Sequence, residues 1–289
     1  MKKIFSVLFV SVFFIACQKE SEPVDTTPQS LPEQTLTDVS YGTDAAQRMD
    51  VYLPAGRTTT TTKAIVIVHG GAWIEGDKID MNPFLPVIKQ RMPEYAIFNI
   101  NYRLAALPST NIFPAQENDM KAVMTFILGK VADYKFNTDK LVLLGASAGG
   151  QIALLQAYKQ TSPKIKAVVS LFGPTDMAAL YNSYPAGSLN QLGIQLLMSG
   201  TPASNAALYQ SSSPINFVTA QAPPTLLLHG TADPIVPIAQ STALKTKLEA
   251  SGVEVKMVTY TNAGHGDWDQ PTFDDAYTQI INFLKAKNP

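Results

Sequence analysis

Cysteine is almost absent from this 289-residue chain, with Cys17 the single example. A lone cysteine excludes an intrachain disulfide framework and any zinc site built from several thiolates. Histidine is nearly as scarce, with three residues, His69, His229 and His265, so any imidazole chemistry must use one of these. An excess of one charge is missing too. Lys and Arg sum to 22 against 23 Asp and Glu, which excludes the basic excess or stripe of a dedicated nucleic-acid binder. No apolar run reaches the roughly 20 residues that a membrane-crossing helix needs. No His, Asp and Glu cluster stands at metal-ligand spacing. Gly70-Gly71 lacks the Lys-Ser/Thr of a phosphate loop, and Gly145–Gly150 lacks the spacing of a dinucleotide site. Chemistry without metal or cofactor is therefore expected. What the chain does have is apolar content, 46% of its residues, enough for a large core and too much for a disordered polymer.

The N-terminus reads as a targeting segment. Lys2 and Lys3 precede Ile4–Ala16, a 13-residue and almost wholly apolar run, which matches the apolar region of a secretory signal peptide. The run ends Phe14-Ile15-Ala16-Cys17. This resembles a bacterial lipobox, in which the cysteine is lipidated and becomes the new N-terminus, with Phe14 where Leu is commonest. Residues 1–16 are expected to be a signal peptide and Cys17 the lipid acceptor. That lipid would be the only membrane attachment. The expected location is the bacterial cell envelope, at the periplasmic or surface-exposed face of the outer membrane. Residues 17–36 are polar and interrupted by Pro23, Pro28 and Pro32, so they read as a flexible tether. The early acidic residues resemble the surface-export tethers of Bacteroidetes-type lipoproteins.

From residue 37 to 289 apolar strands alternate with helical stretches. Arg48–Leu53 alternates polar and apolar residues like a half-buried edge strand. Ala64–Val68, Tyr95–Ile100, Lys140–Leu144, Ala167–Leu171 and Thr225–His229 are short apolar runs, as expected of strands buried on both faces. Glu254–Tyr260 reads as a last strand, and helical stretches fall near 115–130, 148–160, 238–251 and 271–287. This alternation implies βαβ units and a mostly parallel sheet with helices on both faces. The stretch 174–222 is long for a strand-to-strand connection and contains its own helical piece, Leu189–Met198. Such an insertion is usually functional, here a small cap over a site.

Four loops carry candidate chemistry. Gly145-Ala146-Ser147-Ala148-Gly149 is G-x-S-x-G directly between an apolar strand and a helical pattern. That is the context of a nucleophile elbow, where glycines two before and two after the serine relieve crowding. His69-Gly70-Gly71-Ala72-Trp73 follows the strand Ala64–Val68, and successive small residues there can aim backbone N–H groups at one point. His229-Gly-Thr-Ala-Asp233 and Gly264-His265-Gly266 each follow a strand end, where the catalytic groups of open α/β sheets gather. An imidazole can take the proton of Ser147 and return it to a leaving group, and a carboxylate fixes its tautomer. His69 and His229, inside their loop motifs, read as structural. Asp176 is the rival to Asp233 for the acid, and Asp267 and Asp269 lie near His265 in sequence only.

Together these residues resemble the α/β-hydrolase superfamily, in the chain order Ser147, Asp233, His265. More narrowly they resemble its esterase/lipase group with an His-Gly-Gly loop, which includes hormone-sensitive-lipase-like enzymes and bacterial acetyl and feruloyl esterases. Met49–Pro54, Asn99–Leu104, Phe113–Asp119 and His229–Pro237 match as well. The resemblance implies Ser147 as nucleophile, Asp233 as acid and His265 as base. The N–H groups of Gly71, Ala72 and Ala148 would form the oxyanion hole, and Trp73 would wall the substrate pocket. The chain departs from His-Gly-Gly-Gly at Ala72, which keeps its N–H but does not take positive φ cheaply.

The implied activity is hydrolysis of carboxylic esters through an acyl-enzyme, on acetyl or feruloyl esters that include those of polysaccharides. A serine peptidase or amidase of the same fold is the alternative enzyme, although prolyl-type peptidases carry a propeller for which 289 residues leave no room. A non-catalytic hydrolase-like binding module is the third possibility. The targeting reading has its own test. Cys17→Ser should move the protein from the membrane to the soluble fraction on cell fractionation, and continued membrane association of that variant would refute the lipid anchor.

Overall fold

The structure is a computed structural model and describes residues 30–106 and 108–289. The expected signal peptide, Cys17 and residues 18–29 of the expected tether lie outside the described residues. One mixed sheet contains β1 (Gln34–Ser40), β2 (Arg48–Leu53), β3 (Lys63–Val68), β4 (Tyr95–Ile100), β5 (Leu141–Ala146), β6 (Ala167–Leu171), β7 (Thr225–Gly230) and β8 (Val255–Tyr260). The strands lie in the order β1-β2-β4-β3-β5-β6-β7-β8. β1 and β2 pair antiparallel, as do β2 and β4, and every other pairing is parallel. The helices are α1 (Phe84–Arg91), α2 (Ala115–Gly129), α3 (Val131–Tyr134), α4 (Ala148–Lys159), α5 (Met177–Ser183), α6 (Leu189–Leu197), α7 (Ala206–Ser211), α8 (Ala239–Ala250) and α9 (Gln270–Lys287).

The central strands are mostly apolar and buried at almost every position because each of their faces is covered. In β3, Ala64, Val66 and Val68 point into a core shared with Met120 and Val123 of α2, Ile152 and Leu155 of α4, and Leu244 of α8. Ile65 and Ile67 point to the opposite core, with Ile88 of α1 and Ile280 and Leu284 of α9. Alternate residues thus feed opposite layers, the pattern of a doubly covered parallel sheet. Local chemistry starts the helices. The Asp176 carboxylate accepts from the Ala179 N–H at α5, Ser188 Oγ from Gln191 at α6, and Asp269 from Thr272 at α9. Each is an N-cap that satisfies a donor the helix leaves free.

The parallel register aligns the strand ends that build the site. Val68 lies opposite Gly145, Ala146 opposite Leu171, Leu171 opposite Leu228, and Gly230 opposite Tyr260. The loops after β3, β5, β6, β7 and β8 therefore emerge at one edge of the sheet. The chain changes direction across the sheet at β3, between β4 and β5, and such switch points open a crevice at the carboxyl ends of the strands.

Two expectations need correction. The tether does not extend to residue 36, because Gln34, Thr35 and Leu36 pair with Leu53, Tyr52 and Val51 as the start of β1. An edge strand needs only occasional burial, and Leu36 and Val39 are its contacts with the core, so its sequence reads as polar linker. For the same reason Arg48–Leu53 is not an edge strand: β1 covers it on one side and β4 on the other. A chain starting at residue 30 should fold as the longer one does. A chain starting at residue 41 should melt lower by about 5 °C or more, measured by thermal denaturation; equal melting temperatures would return Gln34–Ser40 to the tether.

Candidate active site

Ser147 sits at the turn between β5 and α4 with φ 51° and ψ −121°, a strained conformation for a residue with a side chain. Neighbouring structure enforces it. The Ser147 N–H donates to the Leu171 carbonyl at 2.8 Å. A Cβ on Gly149 would run into the Val68 and His69 carbonyl oxygens, and one on Gly145 into the Gly149 carbonyl. Both motif glycines are therefore dictated by close approach of backbone to backbone, as in a nucleophile elbow. The turn lifts Ser147 Oγ to the carboxyl edge of the sheet.

His265 and Asp233 meet Ser147 there. His265 Nε2 lies 2.8 Å from Ser147 Oγ, and His265 Nδ1 lies 2.7 Å from Asp233 Oδ2. The carboxylate is acceptor-only, so Nδ1 carries the proton and the Nε2 lone pair faces the serine hydroxyl. Asp233 is fixed from several directions. Its Oδ1 accepts from the Ile235 and Val236 N–H groups, both at 2.8 Å. Its Oδ2 also lies 3.3 Å from Nε2 of the buried His229. His229 Nε2 donates to the Val236 carbonyl at 2.7 Å, which leaves Nδ1 to accept from Ser241 Oγ at 2.7 Å. Burial pushes the Asp233 carboxyl up, but the hydrogen bonds from His229 and His265, the charge of His265 and the Val236 N–H outweigh it. The carboxyl is held well below the usual carboxylate range. His229 is thus structural as expected, but it braces the acid. Asp176 is spent capping α5 and Asp269 capping α9, and Asp267 makes no hydrogen bond to His265.

The loop after β3 takes an unusual path. Gly71, Ala72 and Trp73 have φ of 105°, 49° and 63°, so Ala72 does adopt the positive φ that its side chain disfavours, at a cost of about 1–2 kcal/mol. Flanking bonds hold the loop in place. The Gly71 carbonyl accepts from Ile74 and Glu75, and the Trp73 carbonyl from Ala105. The buried Trp73 donates its Nε1–H to Gln151 Oε1 at 3.0 Å. Tyr102 stacks on His69 at 4.3 Å and donates to the His69 and Gly70 carbonyls. Burial keeps the His69 imidazole below its ordinary range, consistent with a neutral structural ring. Arg103 and the buried Asp119 form a multiply bonded pair beneath, which accounts for those residues of the matching motifs. The N–H groups of Gly71, Ala72 and Ala148 donate to no acceptor among the described residues. They remain available to an oxygen beside Ser147.

Ser147 lies between two cavities. The smaller, about 150 Å³, is walled by Trp73 and by Leu180, Tyr184, Ile194 and Leu197 of the insertion. The larger, about 530 Å³, is lined by His265, Gly266, Phe172, Phe273, Glu75 and Asp80. Ala72, Asn190 and Ile235 border both. Tyr184 donates its hydroxyl to the Ile235 carbonyl at 2.8 Å, and burial with the nearby Asp233 charge pushes its phenol up to about 12. Phe172 meets the His265 ring edge-on at 4.6 Å. Sequence reasoning singled out Trp73 but missed Tyr184, Phe172, Glu75, Asp80 and Gln151. Only Gln151, a polar residue one turn after Ser147 in the apolar first half of α4, left a signal.

The Asp233 environment sets a pH dependence. Its folded pKa lies below the unfolded value of about 3.9, so its ionised form contributes stability that is complete above that value and lost as pH falls through the folded one. The stability difference between the native chain and Asp233→Asn, measured by urea unfolding, should therefore shrink as pH falls below about 4 and the carboxyl protonates. A difference that stays unchanged below about pH 4 would contradict the geometry.

Comparison with known proteins agrees with this architecture. The chain is 27% identical over 245 residues to Esterase LipQ of Mycobacterium tuberculosis, covering 79% of this chain and 56% of that protein. The chain spans little more than half the length of that protein and of Esterase LipC of the same organism. Among solved structures it superposes on a truncated carbohydrate esterase from gut microbiota with a TM-score of 0.76 at 23% identity, covering 90% of this chain and 98% of that one. A bifunctional GH43-CE protein of Bacteroides eggerthii aligns with a TM-score of 0.76 at 25% identity, over 88% of this chain and 38% of that one. The fold is the α/β-hydrolase fold. A family model described as BD-FAE matches residues 49–248, well over half of the sequence, and this chain belongs to that family.

Proposed function

We propose that the protein is a serine carboxylic-ester hydrolase that forms an acyl-enzyme and takes short acyl groups. The observation that carries this reading is the hydrogen-bonded line Ser147–His265–Asp233 beside free N–H groups and a small apolar cavity. As Ser147 Oγ attacks the ester carbonyl carbon, its proton passes to His265 Nε2. Asp233 stabilises the imidazolium. The carbonyl oxygen, now an oxyanion, accepts from the N–H groups of Gly71, Ala72 and Ala148. When the tetrahedral intermediate collapses, the C–O bond to the alcohol breaks and His265 gives its proton to the departing oxygen. Water then repeats the sequence, with His265 taking its proton and returning one to Ser147 as the acid leaves.

Cavity size favours a short acyl group. A space of about 150 Å³ just holds a benzene ring. Acetyl to butyryl groups fit it, whereas a feruloyl group adds to its ring a three-carbon arm and two oxygen substituents. The names of the esterase and carbohydrate-esterase relatives support ester hydrolysis, and polysaccharide esters are the proposed natural class. Attachment to the cell envelope through lipid on Cys17 is part of the same proposal and would hold the enzyme near external polymers.

The test is a series of p-nitrophenyl esters of increasing acyl length. kcat/KM should peak between acetate and butyrate, feruloyl esters should be slower by about 10-fold or more, and Ser147→Ala should abolish turnover while the chain stays folded. Gly193 lies on the cavity wall, and a Cβ there meets nothing within 4 Å. Gly193→Leu should therefore fill the cavity and lower butyrate relative to acetate by about 10-fold. A peak at long chains, or Ser147-independent turnover, would overturn the reading.

A further inference from the structure

The two cavities are not equivalent with respect to proton delivery. His265 Nε2 must hand its proton to the alcohol oxygen as the ester bond breaks, so the alcohol has to extend from Ser147 along the His265 side. His265 and Gly266 line the larger cavity, and neither lines the smaller one. We infer that the larger cavity is the leaving-alcohol subsite and that Glu75 and Asp80 make it select hydroxyl-bearing alcohols without negative charge. The inference rests on the ester-hydrolase reading and deepens it.

Size, charge and surface agree. The larger cavity, about 530 Å³, has room for about eighteen water-sized groups, the bulk of one to two sugar rings. The acidic residues on its wall are Glu75 and Asp80, and among the described residues no Lys or Arg lines it. The nearest lysine in sequence, Lys78, is turned away and bonded to Asp38 at 3.0 Å and Asp50 at 3.4 Å. Glu75 is exposed and its carboxylate makes no hydrogen bond or ion pair among the described residues. Its backbone N–H is tied to the Gly71 carbonyl at 3.0 Å, which fixes it at the end of the oxyanion loop. Asp80 Oδ2 accepts from the Asp77 N–H at 2.9 Å, leaving Oδ1 toward solvent. Carboxylates only accept, so they reward hydroxyl or cationic donors and repel anions. Phe84, Phe172 and Phe273 add apolar faces for the C–H side of such an alcohol.

Three meta-substituted phenyl acetates test this, because they share the acetyl group and differ only in the alcohol. One carries a neutral carboxamide, one a carboxylate and one a trimethylammonium group. Rates are referred to the alkaline hydrolysis of each ester, which removes differences in intrinsic reactivity. At low ionic strength the native enzyme should favour the neutral and cationic esters over the anionic one by about 10-fold or more in kcat/KM, and added salt should narrow the gap. Glu75→Gln with Asp80→Asn should bring the anionic ester to within about threefold of the neutral one. Glu75→Gln alone, at a side chain without bonds, should move the ratio in the same direction and guards against misfolding of the double variant. Equal use of all three esters, or discrimination that survives both substitutions, would overturn the subsite. Failure of Ser147-dependent release from all three would instead overturn the ester-hydrolase reading and this inference with it.

Discussion

Helix α4 passes so close to the ends of β3 and β5 that residues 145 and 149 have no room for a side chain. That steric limit generates the rest of the site. It compresses the turn until Ser147 adopts a positive φ and projects from the sheet edge. It also brings the His69–Trp73 loop alongside, because the carbonyls that Gly149 touches belong to Val68 and His69. Gln151, one turn into the same helix, accepts from Trp73 and donates to the Ser212 carbonyl. One side chain therefore couples the His69–Trp73 loop to the far end of the insertion. Strain at Ser147 and Ala72 persists because the backbone hydrogen bonds of their loops, to Leu171, Gly71 and Trp73 carbonyls, hold both positions.

The electrostatics follow a similar logic of over-determination. Asp233 is a buried charge, which would be costly if unpaired. Two backbone donors, His229 and His265 surround it, so it stays ionised and its orientation leaves no freedom to the His265 ring. The brace continues outward: Tyr184 of the insertion bonds to the Ile235 carbonyl, and Gln240 of α8 holds Thr175 and Asp176 where the insertion begins. The loop that carries the acid and the segment that walls the smaller cavity are thus held as one body.

Much of this was legible in the sequence. The apolar runs gave β3 to β7 because strands covered on both faces admit no polar alternation, and the loop motifs lay at their carboxyl ends. Ser147, Asp233 and His265 could be named because G-x-S-x-G and the two strand-end loops leave few other placements. Asp176 could not be dismissed without coordinates, since an N-cap and a catalytic acid look alike in one dimension. β1 was illegible for the opposite reason: an edge strand buries little, and Gln34–Leu36 resembles a linker until Leu53–Val51 is seen beside it. The cavity walls were hidden as well. Tyr184, Phe172 and the pair Glu75 and Asp80 come from three separate segments, and no local pattern marks residues whose only common property is the space between them.

The antiparallel start of the sheet also gives the domain a direction. β1 enters at Gln34, opposite Leu53, which lies at the amino end of the parallel strands, while Ser147 and His265 stand at their carboxyl end. A strand of six residues is about 20 Å long. The chain preceding Gln34 therefore leaves from the pole opposite Ser147 and the mouth of its crevice, a full strand length away. Whatever holds the protein from that side, the mouth points outward from the point of attachment.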